Sequence, residues 1–113
     1  MNDCPFCDIS KIEAVHFDDG EVAIFEPLNP VVEGHLLVVP KQHVTDFADN
    51  PAISSRVMEC AAAFVKQNSD YEDVNLITSK GIAATQSVMH LHIHLVPRKE
   101  GDGLNLPWTG KMH

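Results

Sequence analysis

Apolar and polar residues follow one another along the chain with the periods of short strands and of one helix. The β-prone runs 14–17 and 21–25 flank Asp18-Asp19-Gly20. This arrangement predicts an antiparallel hairpin, because glycine accepts the positive φ of a tight turn. The apolar run 35–39 then ends at Pro40 and predicts a buried strand.

One helix is predicted in the middle of the chain. Asn50 offers a cap before Pro51, and proline fits the first turn of a helix. Apolar side chains then recur at helical spacing, at Ile53, Val57, Cys60, Ala61 and Phe64. We therefore expect an amphipathic helix over 51–68.

The rest of the pattern returns to strands. It predicts a strand over 74–78, a loop over 79–85 that contains Gly81, and a long strand over 87–96 before Pro97. Several strands with one long helix, and no regular βαβ alternation, favour an α+β fold built on an antiparallel sheet. The 113 residues give room for one domain, 1–113.

Charge and hydropathy narrow the classes of partner. Acidic residues outnumber Lys plus Arg by 16 to 8, which disfavours polymeric nucleic acid, since phosphate backbones require clustered positive charge. No apolar stretch approaches bilayer-spanning length, and the first residues lack the basic start and apolar run of a secretion signal. We expect a cytoplasmic protein with no membrane partner.

The run His90-Leu91-His92-Ile93-His94 is the clearest candidate for chemistry. On a strand its three imidazoles share one face at about 7 Å spacing, while Leu91, Ile93 and Leu95 share the other. An imidazole pKa of about 6.5 leaves neutral side chains that can attack or accept a proton near pH 7. Spacing alone also allows a three-histidine metal site, or three histidines with ordinary structural hydrogen bonds.

Cys4 and Cys7 form a C-x2-C pair near the start of the chain. Two thiolates at this spacing reach one ion, and thiolate with imidazole is the ligand set that structural zinc prefers. A redox pair or two unremarkable thiols are the alternatives. Cys60 lies on the apolar stripe of the predicted helix and is expected in the core.

These motifs together resemble the histidine triad family. His90-Leu91-His92-Ile93-His94-Leu95-Val96 is similar to its signature, and the stretch 34–43 and Gln86-Ser87-Val88 are similar to its upstream segments. Cys4-Pro5-Phe6-Cys7 resembles the start of its zinc-containing bacterial members. The resemblance implies a five-stranded antiparallel sheet with one long helix and a short N-terminal helix, assembled as a homodimer.

The resemblance also implies an activity. His92 would attack the α-phosphorus of a nucleotide and form a nucleotidyl-histidine that water hydrolyses. The expected substrate is a purine nucleoside phosphate. His94 would contact the phosphate and help to protonate the leaving group. A histidine at 94, where the nucleotidyl-transferase branch carries glutamine, favours hydrolysis of nucleoside phosphoramidates or dinucleoside polyphosphates.

Further site residues follow from the same resemblance. The nucleotide and its phosphate would be bound by Asn29, His35, Gln86, Ser87, His92 and His94, with His35 behind the triad. A structural zinc would be held by Cys4, Cys7, His43 and His90, so that His90 is structural and only His92 and His94 are catalytic.

The chain departs from the family pattern at several positions. Pro27 stands where relatives have an aspartate or asparagine for the ribose hydroxyls, so Glu26 or Asn29 would substitute. Thr85 stands where glycine is usual. These changes keep open a nucleotide-binding module with weak turnover. The spacing of the histidines keeps open a hydrolase whose metal is held by His90, His92 and His94. Trp108 lies in a tail that approaches the partner's active site in relatives.

Overall fold

Five strands form one sheet in which every neighbouring pair is antiparallel. The computed structural model describes residues 4–107, so Trp108 lies outside the described residues. The strands are β1 (Val15–Asp18), β2 (Val22–Phe25), β3 (Leu36–Pro40), β4 (Val74–Ile77) and β5 (Ile93–Pro97). Their order is β1-β2-β3-β5-β4, and the helix α1 covers Pro51–Gln67. The predicted α+β fold, with its five-stranded antiparallel sheet and one long helix, is confirmed.

The predicted hairpin joins β1 to β2. Asp19 Oδ1 accepts the backbone N–H groups of Glu21 and Val22 at 2.9 and 2.8 Å, so its side chain satisfies the turn. Gly20 has a φ of 90°, a left-handed conformation that glycine adopts without steric cost. The acidic and glycine residues of the turn therefore have a local structural role.

The helix α1 begins and packs as its sequence predicts. Asn50 Oδ1 accepts the N–H groups of Ala52 and Ile53 at 3.2 and 3.4 Å, which satisfies donors that have no partner within the helix. Val57, Cys60 and Ala61 are buried against the sheet. Removing this apolar area from water is the main force that holds α1 in place.

Each face of the sheet is covered by a different part of the chain. The face towards α1 contributes, among others, Ile24, Leu36, Val38, Leu91 and Leu95 to one apolar cluster. The opposite face forms a second cluster of Ala23, Phe25, Leu37 and Val39, packed against Phe6, Ile9 and Ile12. The N-terminal segment is thus the cover of the second face.

The short N-terminal helix is a wrong prediction for the described part of this segment. Residues 4–13 form turns, with backbone hydrogen bonds from Cys7 to Cys4 and from Ile12 to Ile9. Between them Asp8 Oδ1 accepts the N–H of Ser10 at 2.9 Å, and a side chain that bonds the nearby backbone competes with helix formation.

The long strand predicted over 87–96 is also wrong in its first half, because β5 begins only at Ile93. The backbone groups just before it are engaged outside the sheet. Leu91 N–H donates to Val44 O at 2.8 Å, the Thr78 hydroxyl donates to His92 O at 2.8 Å, and the His92 ring bonds His90 O at 2.8 Å. These bonds replace the ladder that a longer strand would need.

Short 3-10 turns occupy Ser69–Tyr71 and Ile82–Ala84. Over residues 4–107, the helices lack the length and apolar character that crossing a bilayer requires.

Candidate active site and metal cluster

A cleft of about 600 Å³ lies on the sheet face that the N-terminal segment covers. Residues 5, 6 and 11–14 contribute one wall and the loop 26–29 another, while the side that bears the histidines comes from the segment before β5 and from β5 itself. The cleft brings together four of the residues predicted from the sequence: Asn29, Ser87, His92 and His94.

His92 presents one ring nitrogen to this cleft. Its Nδ1 lies 2.8 Å from His90 O, and a carbonyl oxygen can only accept, so Nδ1 carries the proton. In the neutral ring Nε2 then has the lone pair. The backbone turn that shortens β5 therefore fixes the tautomer in which Nε2 carries the free lone pair.

A chain of hydrogen bonds fixes the tautomer of His94 in the same way. Val31 N–H donates to His35 Nδ1 at 3.1 Å, which makes His35 Nε2 the protonated nitrogen of a neutral ring. That nitrogen lies 2.9 Å from His94 Nδ1 and donates to it. His94 Nε2 is consequently an N–H donor, and its ring centroid lies 5.2 Å from that of His92.

Burial keeps this pair of histidines uncharged. Desolvation is the main cause that lowers the pKa of His94 to about 4, with contributions from His92 and His35. Burial also lowers the pKa of His35, and this residue is only 4% exposed. In the free protein at pH 7, His94 is therefore a neutral hydrogen-bond donor.

This low pKa predicts a pH dependence of stability. Between pH 6.5 and about 4 the unfolded chain binds a proton at His94 that the folded chain rejects, so folding stability falls as the pH falls through this window. We expect the loss due to His94 to be roughly 1–3 kcal/mol. Urea unfolding of wild type and of His94→Gln at pH 7 and at pH 4.5 gives the loss of stability of each protein, and the difference between the two losses is the contribution of His94. Acid release of a bound metal affects both proteins and therefore cancels. Equal pH-dependent losses in the two proteins would contradict the assignment.

Gln86 lies behind the cleft and outside the residues that line it. Its Oε1 accepts Gly81 N–H at 2.8 Å, and its Nε2 donates to Thr45 O at 2.7 Å and to Val88 O at 3.1 Å. These bonds occupy a side chain that is only 6% exposed. The structure thus places Gln86 as a brace of the loop that carries Ser87, where the sequence reasoning expected a ligand contact.

Thr85 adopts a backbone conformation that is unfavourable for its residue type. Its φ of 72° is the one positive value among non-glycine residues of the range 4–107, and a β-branched side chain in this left-handed region is strained. The positive φ explains why glycine suits this loop position.

Thr85→Gly is expected to stabilise the protein by about 1 kcal/mol, because relief of the strain outweighs the entropy that glycine adds to the unfolded chain. The midpoint of urea unfolding measures the change. Thr45→Gly, at an exposed position without positive φ, is the matched control and should lose stability. A loss in both variants would show that Thr85 is not strained.

A cluster of potential metal ligands lies beside the cleft. Cys4, Cys7, His43 and His90 offer four ligand atoms within 4.8 Å of one another. His90 Nδ1 lies 3.2 Å from Cys4 Sγ, 3.5 Å from Cys7 Sγ and 3.2 Å from His43 Nδ1. Cys7 Sγ lies 3.1 Å from His43 Nδ1.

These distances, 3.1–3.5 Å, are close to those between the ligands of a tetrahedral ion, although three of the four are shorter by about 0.1–0.2 Å. Metal–ligand lengths of about 2.3 Å to sulfur and 2.0–2.1 Å to nitrogen give ligand–ligand edges of about 3.3–3.8 Å. His90 Nε2 lies 2.8 Å from Pro40 O, so the proton is on Nε2 and the Nδ1 lone pair faces the two thiols. The four residues predicted for the metal are therefore brought together with suitable donor atoms.

The alternative three-histidine metal site does not form. His90 is fully buried and directs Nδ1 to the cysteines, whereas His92 Nδ1 is bonded to a carbonyl. Within residues 4–107 the ligand group that converges on one point is the cysteine–histidine cluster. The equal spacing of the three histidines was misleading because two of them precede the strand.

Sequence reasoning missed the wall that the N-terminal segment contributes. Pro5, Phe6 and Ile12 line the cleft, and Phe6 and Ile12 also pack on the sheet. Apolar residues at positions 6, 9 and 12 were a usable signal, since their spacing of three marks one side of a segment. The short helix expected here came from the family resemblance, whereas this spacing reports burial.

Pro27 lines the cleft beside Glu26 and Asn29. Its position is therefore one at which the aspartate or asparagine of relatives would face the cleft. Glu26 Oε2 lies 2.9 Å from His16 Nε2, which leaves the other carboxylate oxygen available. Both substitutes named from the sequence are therefore within the cleft lining.

Comparison with known proteins agrees with the geometry. The family profile described as HIT domain matches residues 10–101. Adenylylsulfatase HINT3 of Arabidopsis thaliana is 37% identical over 92% of this chain, which spans only 56% of that relative. A HIT family protein from Bacillus anthracis has a TM-score of 0.82 at 32% identity, covering 95% of this chain and 82% of its own.

A zinc-bound histidine triad family protein from Mycobacterium smegmatis is a further structural neighbour. Its TM-score is 0.77 at 30% identity, and the match covers 91% of this chain and 80% of that one. With the family profile matched over most of its length, the chain belongs to the histidine triad, or HIT, domain family.

Proposed function

We propose that the protein hydrolyses nucleotides at the α-phosphate through a covalent intermediate on His92. The observation that carries this proposal is the hydrogen bond from His92 Nδ1 to His90 O. It leaves the Nε2 lone pair on a ring that lines the cleft beside His94. A neutral imidazole held in this tautomer is a competent nucleophile.

In the first step, His92 Nε2 attacks the α-phosphorus and the bond to the leaving group breaks with its electron pair. His94 donates a hydrogen bond from Nε2 to the oxygen or leaving atom that gains negative charge, a preorganised interaction. The His90 carbonyl accepts from Nδ1 of the nucleotidyl-imidazolium and so stabilises its positive charge.

In the second step, water attacks the phosphorus and the bond between phosphorus and Nε2 breaks. The products are a nucleoside monophosphate and the regenerated neutral His92, and one proton is released. Ser87, exposed in the cleft lining, is placed to bind a phosphate oxygen through its hydroxyl and its backbone N–H. Gln86 supports this step only by holding the loop.

The substrates that we propose are nucleoside phosphoramidates or dinucleoside polyphosphates. The apolar lining from Phe6, Ile12, Phe25 and Leu37 suits a purine base, since ligand clefts combine apolar walls with few polar groups. Glu26 or Asn29 would bind the sugar hydroxyls. Adenylylsulfate joins the substrates to be tested because the Arabidopsis relative is named an adenylylsulfatase.

Zinc is the metal that we propose for the cluster of Cys4, Cys7, His43 and His90. When bound it would supply a structural cross-link between the N-terminal segment and the core. His90 would thereby be fixed, and with it the carbonyl that orients His92. No step of the reaction requires the ion to contact the substrate.

The family also suggests a homodimer. In this protein β4 is an edge strand, and its Leu76 and Ile77 are 36% and 38% exposed. An unpaired edge with apolar side chains favours pairing with a second copy. Sedimentation velocity would give the mass of the assembly.

A substrate panel tests the proposed activity. Adenosine 5′-phosphoramidate, diadenosine polyphosphates and adenylylsulfate would be incubated with the metal-loaded protein, and release of AMP measured. We expect hydrolysis of at least one class.

A nucleotide-binding module with weak turnover is the second candidate, which Pro27 and the strained Thr85 favour. Tight AMP binding with no hydrolysis across the panel would support that alternative.

A further inference from the structure

Phe6 connects the metal cluster to the proposed nucleophile. It lies between Cys4 and Cys7 in the chain, and its ring also lines the cleft. In the proposed function Phe6 contributes only to the apolar lining of the cleft. Its contacts nevertheless make it the one described side chain with ring contacts to both His90 and His92.

The ring of Phe6 packs against three others. Its centroid lies 5.2 Å from that of His92 at an interplanar angle of 69°, and 5.9 Å from that of His90 at 90°. Phe25, on the sheet, lies 5.6 Å away. Edge-to-face contacts at these distances are favourable and restrict ring rotation. Phe6 therefore adds a second restraint on His92, beside the hydrogen bond to His90 O.

The segment that carries Phe6 is attached mainly through side chains. The backbone hydrogen bonds of Cys7 and Ile12 are to Cys4 and Ile9, within the segment. Contact with the sheet comes from partly buried apolar residues, and the two cysteines contact His90 and His43. The position of Phe6 thus depends on whether Cys4 and Cys7 are held.

We propose that Phe6 is a positioning residue, through which occupation of the metal cluster orients His92 and raises the affinity of the cleft for nucleotide. This inference rests on the proposed function, because it requires the cleft to bind a nucleotide. Coupling between two sites is reciprocal in binding free energy. A nucleotide in the cleft must therefore tighten metal binding by the same factor.

The reciprocal effect gives a test that does not measure turnover. The zinc affinity of the full chain is determined by competition with a chromophoric chelator, with and without saturating AMP. We expect AMP to tighten zinc binding by about fivefold or more, the usual lower bound of such coupling. AMP titrations of the metal-free and zinc-loaded protein should give the same factor. Equal zinc affinities with and without AMP would overturn the proposal.

Two variants separate Phe6 from general order in the segment. Phe6→Ala keeps all four metal ligands and should bind zinc, but AMP at a concentration that saturates this variant, set by its own AMP titration, should no longer change its zinc affinity. Ile9→Ala is the matched control, since Ile9 packs on the sheet but lies outside the cleft lining. It should retain the coupling. Loss of coupling in both variants, or retention in both, would show that it does not act through Phe6.

NMR adds a measurement that would not change if Phe6 had only a structural role. The ¹⁵N resonances of His92 should shift on zinc loading in the wild type and in Ile9→Ala, and much less in Phe6→Ala. If AMP binds neither metal state, the proposed function fails together with the coupling. If AMP binds both states equally, only the coupling fails.

Discussion

His92→Ala is expected to lower the rate of nucleotide hydrolysis by about 10⁴-fold or more, while the affinity for AMP changes by less than about tenfold. In the proposed mechanism Nε2 forms the bond to phosphorus, whereas the cleft walls and His94 remain to bind product. Steady-state kinetics on the best substrate of the panel and calorimetric titration with AMP measure the two quantities.

Met89→Ala is the control for His92→Ala. Met89 is in the same irregular segment, and its side chain is 40% exposed. Its rate should stay within a few-fold of wild type. Wild-type turnover by His92→Ala would eliminate the nucleophile, and a loss of AMP affinity as large as the loss of rate would indicate a collapsed cleft.

Cys7→Ser is expected to abolish binding of one zinc per chain and to destabilise the zinc-loaded protein by about 2–5 kcal/mol, because metal affinity in such sites is also folding free energy. Serine is nearly the same size but is a poor zinc ligand. Elemental analysis and urea unfolding measure both effects.

Cys60→Ala is the control for Cys7→Ser. Cys60 is 6% exposed in the α1 core, so the substitution costs packing but leaves the cluster of Cys4, Cys7, His43 and His90 intact. It should keep full zinc content. A Cys7→Ser protein that still binds one zinc with wild-type affinity would contradict the assigned ligand set.

Hydropathy patterns predicted the body of this fold because the relevant signals are local. The Asp18-Asp19-Gly20 turn, the Asn50 cap and the stripe from Ile53 to Phe64 act within a few residues. The predicted bounds of the hairpin strands and of the helix differ from the observed ones by at most one position. The pattern predicted five strands, and the family resemblance implied the same number.

The division of the three histidines was not accessible from spacing. Strict alternation predicts one shared face, but the partners that end β5 at Ile93 are distant in sequence: Val44 O for Leu91 and the Thr78 hydroxyl for His92 O. His90 therefore turns to the cysteines and His92 to the cleft. Hydrogen bonds of this kind depend on tertiary structure.

The roles of Gln86 and the N-terminal segment were missed for a related reason. A polar residue in a loop next to Ser87 suggests a ligand contact, yet the amide of Gln86 is consumed by backbone partners on three sides. The apolar residues at positions 6, 9 and 12 pack without a helix. Thr85, by contrast, was correctly identified as anomalous, and its positive φ gives the cause.

The nucleotidyl-histidine is the claim on which the proposed function depends most. His94→Ala should slow turnover and allow the intermediate to accumulate when the protein is incubated with adenosine 5′-phosphoramidate and quenched. Trypsin releases residues 81–98 as one peptide between Lys80 and Arg98, and fragment spectra distinguish its three histidines. We predict a single adenylyl group on His92. An adduct on His90 or another residue, or substrate turnover with no adduct at any quench time, would contradict the account.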